Sequence, residues 1–169
     1  MTETPQVTGA VETIDGERHL VLRRTFRAPA KKVWRDLTDA DRLERWIGTW
    51  EGDPADGHVM FRMTAEGENV PAETFTIREC DKPRRLVADT AVGEGTWHLW
   101  LELKEDEGET VLSFGQRLGA GEDVGSIGPG WEYYLDRLVA AREGRDVAEV
   151  DWSAYYPALR EEYLRVDAG

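Results

Sequence analysis

The chain has 169 residues, 34 acidic and 21 basic, for a formal net charge of −13. That length supports one domain whose core needs no disulfide staples, and the charge argues against nucleic acid and anionic membrane surfaces, both of which are held by Lys and Arg. A single cysteine, Cys80, excludes an intrachain bridge, and with no membrane-length apolar run and no N-terminal signal pattern the expected setting is a reducing cytoplasm.

Residues 1–8 read as a flexible lead-in. Gly9–Ile14 and Glu17–Arg27 suit strands, and Asp15-Gly16 between them is a strong hairpin signal. In the second strand Leu20, Leu22 and Arg24 alternate with Val21, Arg23 and Thr25, so one side is wetter than the other. Pro29 suits a first helical position, after which Val33, Trp34 and Leu37 form the buried side of a short helix. Lys31, Lys32, Arg35 and Asp36 are expected to face water. Thr38 and Asp39 stop this helix and can cap a second, Ala40 to Trp46, and the pair is expected to close one mouth of a sheet.

Five further strands follow, near Gly57–Thr64, Ala72–Cys80, Arg85–Val92, Thr96–Lys104 and Glu109–Leu118. The links between them, such as Asp81-Lys82-Pro83 and Gly93-Glu94-Gly95, are short turn chemistry, which demands an antiparallel meander. Cys80 lies in a strand-like run and reads as a small buried hydrophobe. A long helix is expected from about Gly130 to Arg142, introduced by Ser126 and Pro129 and closed by Gly144. Its Trp131, Tyr134, Leu135 and Leu138 recur at the spacing of one apolar stripe. A helical tail follows within Asp151–Val166, starting near Tyr155 or Tyr156 and carrying Tyr156, Leu159 and Tyr163 inward. The division expected is therefore residues 1–8, a domain over 9–145, and a packed helical extension over 146–169.

In order and wording these segments resemble a known group. Arg24-Thr25-Phe26-Arg27-Ala28-Pro29 leads to Val33-Trp34-Arg35-Asp36-Leu37-Thr38-Asp39 and then Leu43-Glu44-Arg45-Trp46. Lys82-Pro83-Arg84-Arg85-Leu86-Val87 follows, then Gly130-Trp131 with Tyr134-Leu135-Asp136-Arg137-Leu138. The chain resembles the START-like or SRPBCC superfamily, and within it the group named after the activator of the heat-shock-protein-ninety ATPase. The resemblance implies an α+β helix-grip fold, a curved antiparallel sheet wrapped around a long C-terminal helix. It says less about function, because many functions share the fold. Where members of the group often carry a His near the end of the last strand, this chain aligns Gln116, which argues against a mechanism that rests on that His.

The candidate site is an internal cavity for a small, mostly apolar ligand, bound without being altered. Its helix wall would be Trp131, Tyr134 and Leu138, and its sheet wall Phe61, Met63, Phe75, Trp97 and Phe114. Trp46 would stand near the entrance, with Glu73 and Gln116 as polar anchors. The main support for this reading would be a void between Trp131 and Phe114. A carboxylate at Glu73 would have its pKa raised by desolvation, so a cyclase- or aromatase-like enzyme using the same pocket is one alternative. The family name implies another, a chaperone-contacting module working through surface residues such as Lys31 and Lys32. Arg23, Arg24, Arg27, Lys31 and Lys32 read as a basic patch on an acidic chain, its charges paired with nearby carboxylates. The glycines of 119–130 lack the Lys of a phosphate loop and read as a lid or turn. His19, His58 and His98 do not cluster, so no metal or cofactor is expected; His58 and His98 read as solvent-facing. A monomer or weak homodimer is expected, since no apolar stripe is left over.

Overall fold

A computed structural model describes residues 5–67, 69–92, 95–119 and 122–168. Strands β1 (Ala10–Ile14) and β2 (Glu17–Phe26) form the expected hairpin, with Asp15 and Gly16 both at positive φ, as its two-residue turn requires. The chain then crosses to the opposite edge of the sheet through α1 (Ala30–Thr38) and α2 (Ala40–Leu43). From there β3 (Thr49–Glu51), β4 (His58–Arg62), β5 (Glu73–Asp81), β6 (Arg85–Val92), β7 (Gly95–Asp106) and β8 (Glu109–Arg117) return as a meander. The order β1-β2-β8-β7-β6-β5-β4-β3 is antiparallel throughout and places the last strand beside the second. The three-residue β3 was not expected from sequence, and it supplies the far edge.

Across the curved sheet, the inward row of β2 carries Leu20, Leu22 and Phe26, each buried. On this face lies α3 (Val124–Arg142). It begins six residues earlier than expected, because the Asp123 carboxylate caps it, accepting from the Gly125 N–H and the Ser126 hydroxyl. Pro129 therefore sits within the helix, and the glycines expected to form a lid are mostly its first turns; Ala120 and Gly121 lie outside the described residues. Gly128 has a packing reason to lack a side chain, since a Cβ there would fall into the ring of Tyr163. The remaining helix, α4 (Arg160–Ala168), packs on α3 and β1. It starts later than expected, after two single 3-10 turns at Val147–Glu149 and Trp152–Ala154. This shift buries Tyr155, Leu159 and Tyr163, and leaves Tyr156 stacked on Trp152 outside.

Three polar residues occupy places unlike those expected. Asp36 is buried and salt-bridged to Arg42 at 3.0 Å and Arg142 at 3.1 Å, tying α1 to the end of α3. Arg24 belongs to the inward row of β2 and leaves the basic patch to reach Glu132 at 2.8 Å and Asp136 at 3.0 Å. A buried guanidinium needs such partners, and the i, i+4 spacing of two carboxylates on one helix supplies both. Thr8, placed in the lead-in, is clamped by Glu132 through its N–H and hydroxyl, while residues 1–4 lie outside the described residues. His58 is exposed, whereas His98 bonds Asp89 at 2.7 Å on the sheet's outer face. Burial works against the Asp89 charge, but bonds from His98 and Arg78 outweigh it and hold the carboxyl below its ordinary range.

Candidate functional site

Between the sheet, the short helices and α3 lies a pocket of about 410 Å³. The cross-strand register builds its floor. One row runs Phe75 and Val59, a second Ile77, Ala88 and Leu99, and a third Leu86, Leu101 and Phe114. Alternation along each strand sends all of these to one face. The opposite wall comes from Trp34 and Leu37 of α1, Leu43 of α2, Trp46, Ile47 and Trp50. Trp131 and Leu135 of α3 complete it.

The walls present mostly carbon, and the indoles of Trp46, Trp50 and Trp131 place their N–H groups elsewhere. Trp46 donates to the Asp36 carbonyl at 2.9 Å, Trp50 to the Thr38 carbonyl at 2.7 Å, and Trp131 to Gln116 Oε1 at 2.8 Å. The exposed groups of the lining are Asp39, Pro54, Cys80 and Lys82, and these mark the mouth. Among the described residues, the lining holds no titratable side chain other than Asp39, Cys80 and Lys82 at that mouth.

Cys80 is exposed rather than buried. The register of β5 against β6 shifts between Ile77 and Glu79, so Cys80 pairs with Leu86 and joins the inner face at the open end of the floor. Strict alternation from Phe75 and Ile77 would have turned Cys80 outward; one bulge reverses that.

Of the eleven residues proposed from sequence, Trp46, Phe61, Met63, Phe75, Phe114 and Trp131 line this pocket. Trp46 is buried in the wall rather than standing at the entrance. Trp131 and Phe114 pack together, ring centroids 4.4 Å apart, so the void expected between them is closed; the pocket opens in front of the pair, toward the short helices. Trp97 backs Trp131 at 6.2 Å and is not part of the lining. Gln116 is fully buried beside Trp131. Leu138 lies in the core, deeper than the lining. Tyr134 is buried and turns its hydroxyl to Glu66 at 3.2 Å; burial, then the Glu66 carboxylate, push that phenol above its ordinary pKa. Glu73 is exposed at the start of β5, across from Phe61 and outside the pocket.

Sequence reasoning missed the wall from the short helices as a ligand-facing surface. Val33, Trp34 and Leu37 gave its signal, but their helix was read as a plug. Leu135 stood on the inward stripe and was left out of the site. Trp50 had no signal, since its strand is three residues long.

α3 is fixed from its other side. Glu132, fully buried, accepts from Thr8, Gly9, Arg24 and Tyr163, and Asp136 accepts from Arg24 and from Tyr155 at 2.6 Å. Burial, followed by these carboxylates, raises the phenols of Tyr155 and Tyr163 above the ordinary range. Arg137 donates to the Trp46 carbonyl at 2.8 Å, linking the helix to the pocket's opposite wall.

The family model described as "Activator of Hsp90 ATPase homolog 1-like protein" matches residues 27–143. The structure is similar to CalU16 from Micromonospora echinospora, at 22% identity and a TM-score of 0.70, covering 99% of this chain and 100% of that one. It is also similar to the conserved protein EF2215 from Enterococcus faecalis, at 19% identity and a TM-score of 0.68, covering 93% and 88%. DynU16, from the dynemicin biosynthetic locus, aligns at 18% identity and a TM-score of 0.58, covering 76% of this chain and 49% of that one. At these identities the likeness carries the helix-grip fold alone. No curated protein matches the sequence. Among the described residues, no helix is long and apolar enough to cross a membrane.

Proposed function

The chain belongs to the activator of Hsp90 ATPase homolog 1-like family, and on that premise we propose that it binds a small, mostly apolar molecule, without altering it, in the pocket under α3. The observation that carries this reading is the carbon-lined space of about 410 Å³ whose polar groups are confined to the mouth. A ligand seated there exchanges water for apolar wall, which contributes about 2.5 kcal/mol per 100 Å² buried. The proposed binding is cytoplasmic and needs no cofactor; among the described residues, the titratable groups of the lining, Asp39, Cys80 and Lys82, all stand at the mouth.

Native mass spectrometry on freshly purified protein tests the reading. The expected result is a small-molecule adduct that disappears on denaturation. Ala88, buried on the pocket floor, supplies the control: Ala88→Trp fills the space and removes the adduct while far-UV circular dichroism stays unchanged. A clean mass for the wild type, with no thermal shift against fatty acids, flavonoids and polyketides, would sink the proposal.

A further inference from the structure

Among the described residues that line the pocket, Lys82 carries the one positive charge, and it is exposed at the mouth. It follows the last residue of β5, in a turn closed by the Arg84 N–H on the Asp81 carbonyl at 2.7 Å. The carboxylates beside it in sequence are already engaged, Asp81 by Arg84 and Glu79 by Arg85, each at 3.0 Å. Among the described residues no carboxylate stands within ion-pairing distance of Lys82. A lysine at such a rim lays its carbon stem along apolar wall and keeps its ammonium in water, ready for an anion.

Asp39 stands on the helix side of the mouth, between α1 and α2. Its N–H donates to the carbonyl of Arg35, one turn back, so that side carries both signs. Its carboxylate sits on a single methylene and stays near its own helix, whereas the ammonium of Lys82 has three donors on a flexible four-carbon stem and can follow a ligand's head. Inside the mouth the walls are mostly carbon, from Ile77 and Leu86 inward to Trp131. The complementary ligand is polar at one end only, with that end negative and outward.

We propose that the ligand is an anionic amphiphile, a carboxylic acid on an apolar tail, whose carboxylate accepts from Lys82 Nζ at the mouth while the tail fills the pocket. One ammonium balances a single negative charge, which suits a carboxylate better than a phosphate dianion. The walls supply most of the affinity, and Lys82 sets which end stays in water. In a chain of net charge −13, a cation at this opening offsets the repulsion that an anion meets elsewhere on the surface. This inference rests on the binding reading above.

Decanoate, decanol and decylamine share one tail and differ in the charge of the head. Their dissociation constants are measured at neutral pH by isothermal titration calorimetry, for the wild type and for Lys82→Met and Lys82→Glu, whose folding is checked by thermal denaturation. The wild type is expected to hold decanoate more tightly than decanol. The decanoate-to-decanol affinity ratio should fall about fivefold in Lys82→Met and further in Lys82→Glu, with decanol binding little changed; fivefold corresponds to about 1 kcal/mol. Added salt should lower the same ratio in the wild type through screening. An equal ratio in all three proteins overturns this inference and leaves the binding reading standing, as does tighter binding of decylamine than of decanoate. Failure of the wild type to bind any of the three overturns the inference as stated, and a native mass spectrum without adduct then removes the reading beneath it.

Discussion

Replacing Glu132 by Gln changes one atom and removes one charge at the anchor of α3. One carboxylate oxygen takes the N–H of Thr8 at 2.5 Å, that of Gly9 at 3.2 Å and the Tyr163 hydroxyl at 2.5 Å. The other takes the Thr8 hydroxyl at 2.6 Å and Arg24 at 2.8 Å. Every partner is a donor in this arrangement, so a carboxamide must turn its NH₂ toward two or three of them whichever way it sits. Hydrogen bonds to charged groups contribute about 1.5–3 kcal/mol each. Arg24 keeps Asp136, which limits the damage. The expected loss is about 3 kcal/mol for Glu132→Gln, and about 3–5 kcal/mol for Glu132→Ala, which breaks the buried pair outright. In a chain of this size 1 kcal/mol moves the melting midpoint by about 2–4 °C, so Glu132→Gln should melt roughly 6–12 °C lower. Urea denaturation gives the free energy directly. A loss under about 1 kcal/mol with an unchanged slope would refute the claim that this carboxylate anchors the helix.

Two glycines only two residues apart, on opposite faces of α3, should respond oppositely to alanine. At Gly130 nothing lies within 4 Å of an added Cβ, so Gly130→Ala should raise stability by up to about 1 kcal/mol; Gly128→Ala should lower it by about 1–3 kcal/mol through the clash with Tyr163, as urea titrations will show. His19, whose Nδ1 accepts from the Trp100 indole at 3.0 Å, has its pKa lowered from 6.5 chiefly by burial. The unfolded chain therefore takes up this proton first, and stability is lost as pH falls through the unfolded value. His19→Gln should flatten that part of the melting-temperature profile, and an unaltered profile would count against the assignment. Exposed Cys80 at the mouth should react with N-ethylmaleimide in the free protein, and saturating decanoate should slow the reaction severalfold; equal rates would place the entrance elsewhere.

The strand pattern was legible because strand signals are local: alternation on β2 and β4 to β8, turn chemistry between them, and Asp15-Gly16 at the hairpin. The inward stripe of α3 was legible for the same reason, and so was the family resemblance, which rests on segments read in order. Element starts were less so. Asp123 caps α3 in a glycine-rich stretch whose composition reads as loop, and packing of Gly128 against Tyr163, 35 residues downstream, favours helix there.

The sequence by itself determined an antiparallel sheet, a long aromatic-faced helix set against it, and the residue types available for a pocket. Tertiary structure alone decided which of them meet. Asp36 is buried because Arg142 arrives from a helix 106 positions away, and Arg24 points inward because Glu132 and Asp136 wait there. One bulge in β5 turns Cys80 from the outer face to the pocket mouth. Contact between Trp131 and Phe114 moves the open space toward the short helices. Each outcome depends on register and on pairings between distant segments, where a shift of one residue exchanges the two faces of a strand and no local pattern records the choice.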